Sequence, residues 1–319
     1  MIGAVGALAL LLTACGGQDE GSGTTTTNSD GTTSESVSGS VVIDGSSTVA
    51  PLSESAADLF SEEAPDVNVT VATSGTGGGF EKFCAGETDI SDASRAIEDD
   101  EIALCEEAGI EYTELIIAND ALSVVVNPEN DWAECLTVEQ LQTMWAPESE
   151  GTVTNWNQID PSFPDQELTL FGAGTDSGTF DYFTDAVNGE EGATRTDYSP
   201  SEDDNVTVQG VSGDPGAVGY FGLSYVQQNE GVIKAVQVDN GEGCVEPSAE
   251  TVIDGSYAPL GRPLYIYVNN ASYGEKPQVA AFVDFYLANE AEIAEGALFI
   301  GLSEEQTTEA ASALEGIGA

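Results

Sequence analysis

From residue 41 onward the chain alternates short β-branched runs with longer segments whose apolar residues recur every three to four positions. Residues 41–43 predict a strand and 51–63 a helix; 67–72 predict a strand and 78–85 a helix. An acidic helix over 98–108 leads into a strand over 111–117, and a further strand covers 121–127. Residues 137–145 predict a helix opened by a Thr cap, and 168–171 a strand feeding a helix that starts at Ser177. Strands over 217–221, 232–238 and 264–268 and a helix over 277–289 complete the series, with no internal repeat. This rhythm predicts an α/β architecture with parallel crossovers. Two lobes follow if the chain crosses twice, near 118–120 and near 261–263: lobe 1 from 41–119 plus 264–319, lobe 2 from 120–263. Ligands of such architectures sit between the lobes, at strand C-termini and helix N-termini.

The first forty residues follow another pattern. Residues 2–13 are an apolar run too short to span a bilayer as a helix, followed by Leu12-Thr13-Ala14-Cys15. That tetrad resembles a bacterial lipobox, which implies a signal peptide over 1–14 and diacylation of Cys15, tethering the mature chain to the outer face of a membrane. No Lys or Arg precedes the apolar run, a departure from the usual signal-peptide start. After Cys15 the chain is mostly Gly, Ser, Thr and acidic residues as far as 40, with no aromatic and a single Val, so 15–40 reads as a lipidated Cys and a flexible tether with an r.m.s. span of roughly 25–30 Å.

Composition then narrows the partners. The 319 residues carry 57 Asp and Glu against 6 Lys and Arg, a formal charge of −51 that repels nucleic acid and anionic membrane and suits a solvated surface in a salty habitat. There is no His, and the cysteines lack C-x-x-C spacing, so neither a zinc site nor another metal or cofactor is expected. With Cys15 assigned to lipid, four cysteines remain and allow three pairings. Cys84–Cys105, which brackets the 98–108 helix, and Cys135–Cys244, which pins a late loop near Trp132, are the favoured set.

Three Gly/Ser/Thr clusters lie between strand-like and helix-like runs: Gly45-Ser46-Ser47-Thr48-Val49, Ser74-Gly75-Thr76-Gly77-Gly78-Gly79-Phe80 and Asp176-Ser177-Gly178-Thr179-Phe180. Ser47 and Thr48 are expected to cap a helix that Pro51 helps begin. The three glycines let backbone approach an anion closely. Each cluster alone reads most simply as a structural cap or turn. Together, their free N–H groups and hydroxyls can converge on one tetrahedral oxyanion.

At this point the chain resembles the phosphate-binding proteins of bacterial ABC phosphate transporters. The matching stretches are 44–51, 74–80, 89–95, 174–180 and 215–220, in matching order over about 41–290. The resemblance implies a type II periplasmic-binding-protein fold, two α/β lobes joined by a two-crossover hinge that closes on the ligand. It implies phosphate contacts from Ser47, Thr48, Val49, Thr76, Gly77, Ser177, Gly178 and Thr179, and delivery of inorganic phosphate to the permease subunits. Arg95 stands where better-studied members have Asp, and Ala173 where they have Arg, so Arg95 is taken as the pocket cation. A carboxylate acceptor, Asp92 or Asp176, would favour a protonated oxyanion over sulfate.

Other readings are a receptor for sulfate or molybdate, a secreted phosphohydrolase with Ser177 or Thr76 as nucleophile, and a cell-surface interaction protein with no ligand. The hydrolase needs a general base or metal pair beside the hydroxyl, and the sequence offers no clear one, so the chain is not expected to be an enzyme.

Overall fold

Val41 and Ile43 are buried while Val42 between them is exposed, the two-residue alternation of a strand with one covered face. They belong to β1 (Gly39–Gly45), which starts two residues before the expected strand. This computed structural model describes residues 37–175, 177–201 and 203–317. The signal peptide, Cys15, the tether as far as residue 36 and Asp176 lie outside the described residues.

β1 runs parallel to β2 (Val67–Thr73) and to β3 (Ile90–Ala93). β4 (Tyr112–Val126) is one strand of 15 residues where two were expected, and it does not break at 118–120. The remaining strands are β5 (Cys135–Thr137), β6 (Thr169–Ala173), β7 (Ser199–Ser201), β8 (Ala217–Gly222), β9 (Lys234–Ala235), β10 (Gln237–Asp239), β11 (Cys244–Val245) and β12 (Gly261–Asn269). The main sheet has the order β2-β1-β3-β12-β4-β8-β6-β7, with β9 beside β4; β11-β10-β5 form a small second sheet.

The sheet is mixed rather than wholly parallel. β12 is antiparallel to both β3 and β4, and β4 is antiparallel to β8. Residues 112–121 of β4 pair with β12, whereas 122–126 pair with β8, so one strand runs from one part of the sheet into the other. Each part has its own core. Ile43, Leu52, Phe60, Ile117, Ile266 and Phe282 fill one; Val124, Trp145, Trp156, Phe183, Val218 and Tyr220 fill the other. In the second core the Phe183 and Tyr220 rings stack at 3.7 Å, and Trp145 meets Tyr220 edge-on at 5.0 Å.

The helices that matter for the site are α1 (Ala50–Glu63), α2 (Gly75–Cys84), α3 (Asp99–Ala108), α4 (Val138–Trp145) and α5 (Gly178–Asn188). α1, α2 and α5 begin just past the C-terminal ends of β1, β2 and β6. The C-terminal stretch, where no element is expected beyond residue 289, forms the helices Glu290–Gly296 and Glu304–Glu315. Disulfides join Cys84 to Cys105, between α2 and α3, and Cys135 to Cys244, between β5 and β11. Among the described residues no helix is long and apolar enough to cross a membrane.

Candidate functional site

The turn from β1 into α1 is held from beneath. A Cβ on Gly45, whose φ is +149°, would stand 2.1 Å from the Asp92 carbonyl oxygen, so only glycine lets β1 lie this close to β3. Ser46 N–H donates to that carbonyl at 2.9 Å, and Ser46 Oγ accepts from Thr48 N–H at 3.2 Å. The expected capping by Ser47 and Thr48 does not form: Val49 is the N-cap residue of α1, and no side chain caps it. The hydroxyls of Ser47 and Thr48 are spared, and both residues line a small cavity. Val49 turns its side chain into the core.

The second cluster is helical earlier than expected, because α2 starts at Gly75 rather than at Gly78. Gly79 allows this packing: a Cβ there would lie 2.5 Å from Gly45 Cα. Gly75 and Thr76 line the cavity. Thr76 Oγ1 accepts from Ser94 N–H at 3.2 Å and meets Ser94 Oγ at 3.0 Å.

The third cluster arrives from the other part of the sheet. Ser177 caps α5, its Oγ accepting from Thr179 N–H at 3.2 Å. A Cβ on Gly178 would lie 2.8 Å from Thr48 Oγ1 and 3.0 Å from Thr48 N, so glycine is required for the two turns to touch. Thr48 Oγ1 donates to Gly178 O at 3.4 Å, and Ser47 Oγ donates to Asp181 Oδ2, one turn into α5, at 3.2 Å. Ser47, Thr48 and Thr76 therefore share one cavity, with Gly178 packed against Thr48. Thr179 lines a larger crevice instead, beside Asn119, Asp120 and Tyr225.

Arg95 is not part of the cavity lining. Its guanidinium forms a bidentate pair with Glu101 of α3, both N–H···O distances 2.8 Å, and its Nε lies 3.3 Å from Glu98. Gly77 faces Arg95: a Cβ there would be 3.9 Å from Arg95 Nη2. The cation that lines the cavity is Arg262 of β12. Its Nη2 donates to Thr48 Oγ1 at 3.3 Å, its guanidinium lies 3.3 Å from the centre of the Tyr182 ring, and its Nε is 3.7 Å from Asp120 Oδ2. Tyr182 is fixed in turn by donating to Pro259 O at 2.9 Å. Arg262 Nε is buried with no hydrogen-bond partner among the described residues. The sequence showed Arg262 only as part of a crossing; its register opposite Asp120 makes it a site residue. The available signal was its rarity, one of 6 basic residues.

Two carboxylates complete the lining, Asp181 and Glu191. Burial raises the Asp181 pKa, against the lowering effect of the Ser47 hydrogen bond and Arg262. Burial also raises that of Glu191, helped by Asp181 and Asp185. Asp120 is raised by burial and opposed by Arg262. Asp92 does not reach the cavity: it is fully buried and accepts from Ser53 Oγ of α1 at 2.8 Å. Chemically the cavity combines hydroxyls, the N-terminal turns of three helices, one guanidinium and two carboxylates, a set that can both donate hydrogen bonds to an oxyanion and accept one from its O–H.

A family model described as a PBP superfamily domain matches residues 30–290. The chain is 50% identical over 273 residues to Protein SphX of Synechocystis sp., which covers 86% of this chain and 81% of that protein. It is 38% identical over 315 residues to the phosphate-binding protein PstS of Staphylococcus saprophyticus, covering 98% and 92% of the two chains. The crystal structure of a possible phosphate binding protein from Planctomyces limnophilus superposes with a TM-score of 0.85 at 42% identity, covering 89% of this chain and 100% of that one.

Proposed function

Because this chain belongs to the PBP superfamily and, within it, to the phosphate-binding proteins, we propose that it is an extracytoplasmic receptor that captures inorganic phosphate and delivers it to the permease subunits of an ABC transporter. The observation that carries this reading is the convergence of Thr48, Thr76 and the Gly178 turn on a cavity lined by Arg262. The ion is held by the Ser47, Thr48, Thr76 and Ser177 hydroxyls, by N–H groups of Val49, Gly77 and Gly178, and by Arg262. Asp181 accepts a hydrogen bond from its P–OH, and sulfate, which has no O–H to offer at neutral pH, binds poorly. The lobes 41–119 plus 264–319 and 120–263 close over the ion, flexing where β4 and β12 run between them. Cleavage after residue 14 and lipidation of Cys15 tether the receptor outside the membrane, with the residues between Cys15 and β1 as the leash, since 39 and 40 of the expected 15–40 tether belong to β1.

Charge-assisted hydrogen bonds contribute ~1.5–3 kcal/mol each and micromolar binding needs about 8 kcal/mol, so a handful of these donors suffices after ordering costs. Titrating phosphate, sulfate and molybdate against intrinsic fluorescence tests the reading. Phosphate is expected to bind and the other two to bind much more weakly. Arg262→Ala is expected to weaken phosphate by roughly 10- to 100-fold, matching loss of one or two such bonds, and Arg95→Ala by much less. A preference for sulfate or molybdate, or an Arg262→Ala variant with unchanged affinity, overturns this assignment.

A further inference from the structure

Glu191 has no part in the reading above, yet it lines the same cavity as Ser47, Thr48, Asp181 and Arg262. It stands two residues after the αL glycine, Gly189, that ends α5, and it is an exposed residue of that lining. The lining thus sets two carboxylates against a single guanidinium, and that guanidinium also lies 3.7 Å from Asp120. We propose that Glu191, acting with Asp181, makes this cavity selective for the monobasic ion H2PO4− over HPO4 2−. The proposal rests on the phosphate reading above.

The argument is one of donors and charge. An ionised carboxylate only accepts hydrogen bonds. Sulfate brings no O–H, the dibasic ion brings one, and the monobasic ion brings two. Asp181 Oδ2 already accepts from Ser47 at 3.2 Å, which leaves its second oxygen and the Glu191 carboxylate to be met by the ligand. Two P–OH groups satisfy one carboxylate each, while the remaining phosphate oxygens face Arg262 and the helix starts. A dianion leaves one carboxylate facing a phosphate oxygen, a like-charge contact that costs more as water is excluded.

The charged groups that act on Glu191 electrostatically are Asp181 and Asp185 from α5, Arg262 from β12 and Arg95 from the loop after β3. Burial and the two aspartates favour a proton on or near Glu191, and the two arginines oppose it. A proton carried by Glu191 itself gives the complex the same proton count as one carried by the ligand. Binding therefore takes up protons when the free ligand is dibasic. Affinity for total phosphate is highest below the second ionisation of phosphate and falls by up to about tenfold per pH unit above it.

Calorimetric titration of the full chain with inorganic phosphate, at about pH 6 and about pH 8.5 in buffers of differing ionisation heat, reads both affinity and protons. The expected result is at least ~10-fold weaker binding at the higher pH, with net proton uptake there. Glu191→Gln replaces an acceptor-only group by one that can donate. It is expected to bind more tightly than wild type at the higher pH and to reduce the pH effect to less than about 3-fold. Wild-type affinity that is unchanged or rises with pH, absence of proton uptake, or a Glu191→Gln variant with the wild-type profile overturns the proposal. Failure of phosphate to bind at either pH overturns instead the phosphate reading on which it rests.

Discussion

Asp92 has no exposed surface, accepts from Ser53 Oγ, and leaves its second oxygen without a partner among the described residues. Burial pushes its pKa up to about 8, opposed by the Ser53 hydrogen bond and reinforced by Asp44 and Glu54. The unfolded chain releases this proton near pH ~4 whereas the folded protein holds it to about 8, so stability falls as pH rises across that window, by up to ~5 kcal/mol in total. Asp92→Asn keeps the acceptor for Ser53 and removes the titration. The variant is expected to match wild type within about 1 kcal/mol near pH ~4 and to exceed it by several kcal/mol near pH ~8.5, read by urea unfolding at both. A variant with the wild-type pH slope would show that another group carries it. Residue identity also explains what the sequence could and could not reveal of the site. Ser47, Thr48, Thr76 and Gly178 stood out because small and hydroxylated residues cluster at helix starts, a local signal. Arg262, Asp181 and Glu191 did not, because strand register and tertiary packing bring them to the cavity, and with 57 acidic residues no single carboxylate is conspicuous.

At the level of elements, the disulfides do different amounts of work. Cys135–Cys244 closes a loop of sequence separation 109 that contains β6, α5 and β8, whereas Cys84–Cys105 spans 21 residues and staples α2 to its neighbour α3. Closing the longer loop removes more freedom from the unfolded chain, about 4–5 kcal/mol against about 3 kcal/mol for the shorter. Replacing Cys135 and Cys244 together by Ser is therefore expected to lower unfolding free energy more than replacing Cys84 and Cys105. Denaturant unfolding of the two double variants decides this, and equal or reversed losses would mean that native packing outweighs loop closure. Long periodic elements such as α1 and α4 were legible because their apolar spacing is written locally. β4 was not, since Asn119 and Asp120 look like a loop. Asn119 instead exchanges backbone hydrogen bonds with Ile300 at 2.7 and 2.9 Å and is held by Gln306 from the Glu304–Glu315 helix, while Asp120 faces Arg262. Such polar residues can lie inside a strand only when distant parts of the chain supply partners, which no local window contains.

Across the whole molecule, charge is the dominant imbalance. Each of the 6 basic side chains is already engaged: Lys82 with Asp44, Arg95 with Glu101, Arg195 with Asp197, Arg262 with Asp120, Lys276 with Asp89, and Lys234 with the Asn130 carbonyl. None is left to offset the remaining acidic surface, and most of the chain's formal charge of −51 falls within residues 37–317, where it repels itself. At ~0.01 M salt the screening length is about 30 Å, comparable to the molecule, so charges across the surface interact; at ~1 M it is about 3 Å and only near neighbours do. Salt therefore stabilises the folded state by relieving a repulsion that the unfolded chain largely escapes through expansion. Thermal unfolding near neutral pH in NaCl from ~0.01 to ~1 M is expected to show Tm rising by about 10 °C or more, most steeply at the low end where the screening length shrinks fastest. Ligand binding follows a different rule, because hydrogen bonds at ~2.8 Å act inside the screening length at every one of these concentrations. Phosphate affinity measured on the folded protein should change far less than Tm over the same range. A flat Tm would mean that the acidic surface is neutralised by bound counterions even in dilute buffer, and that self-repulsion does not set the stability of this fold.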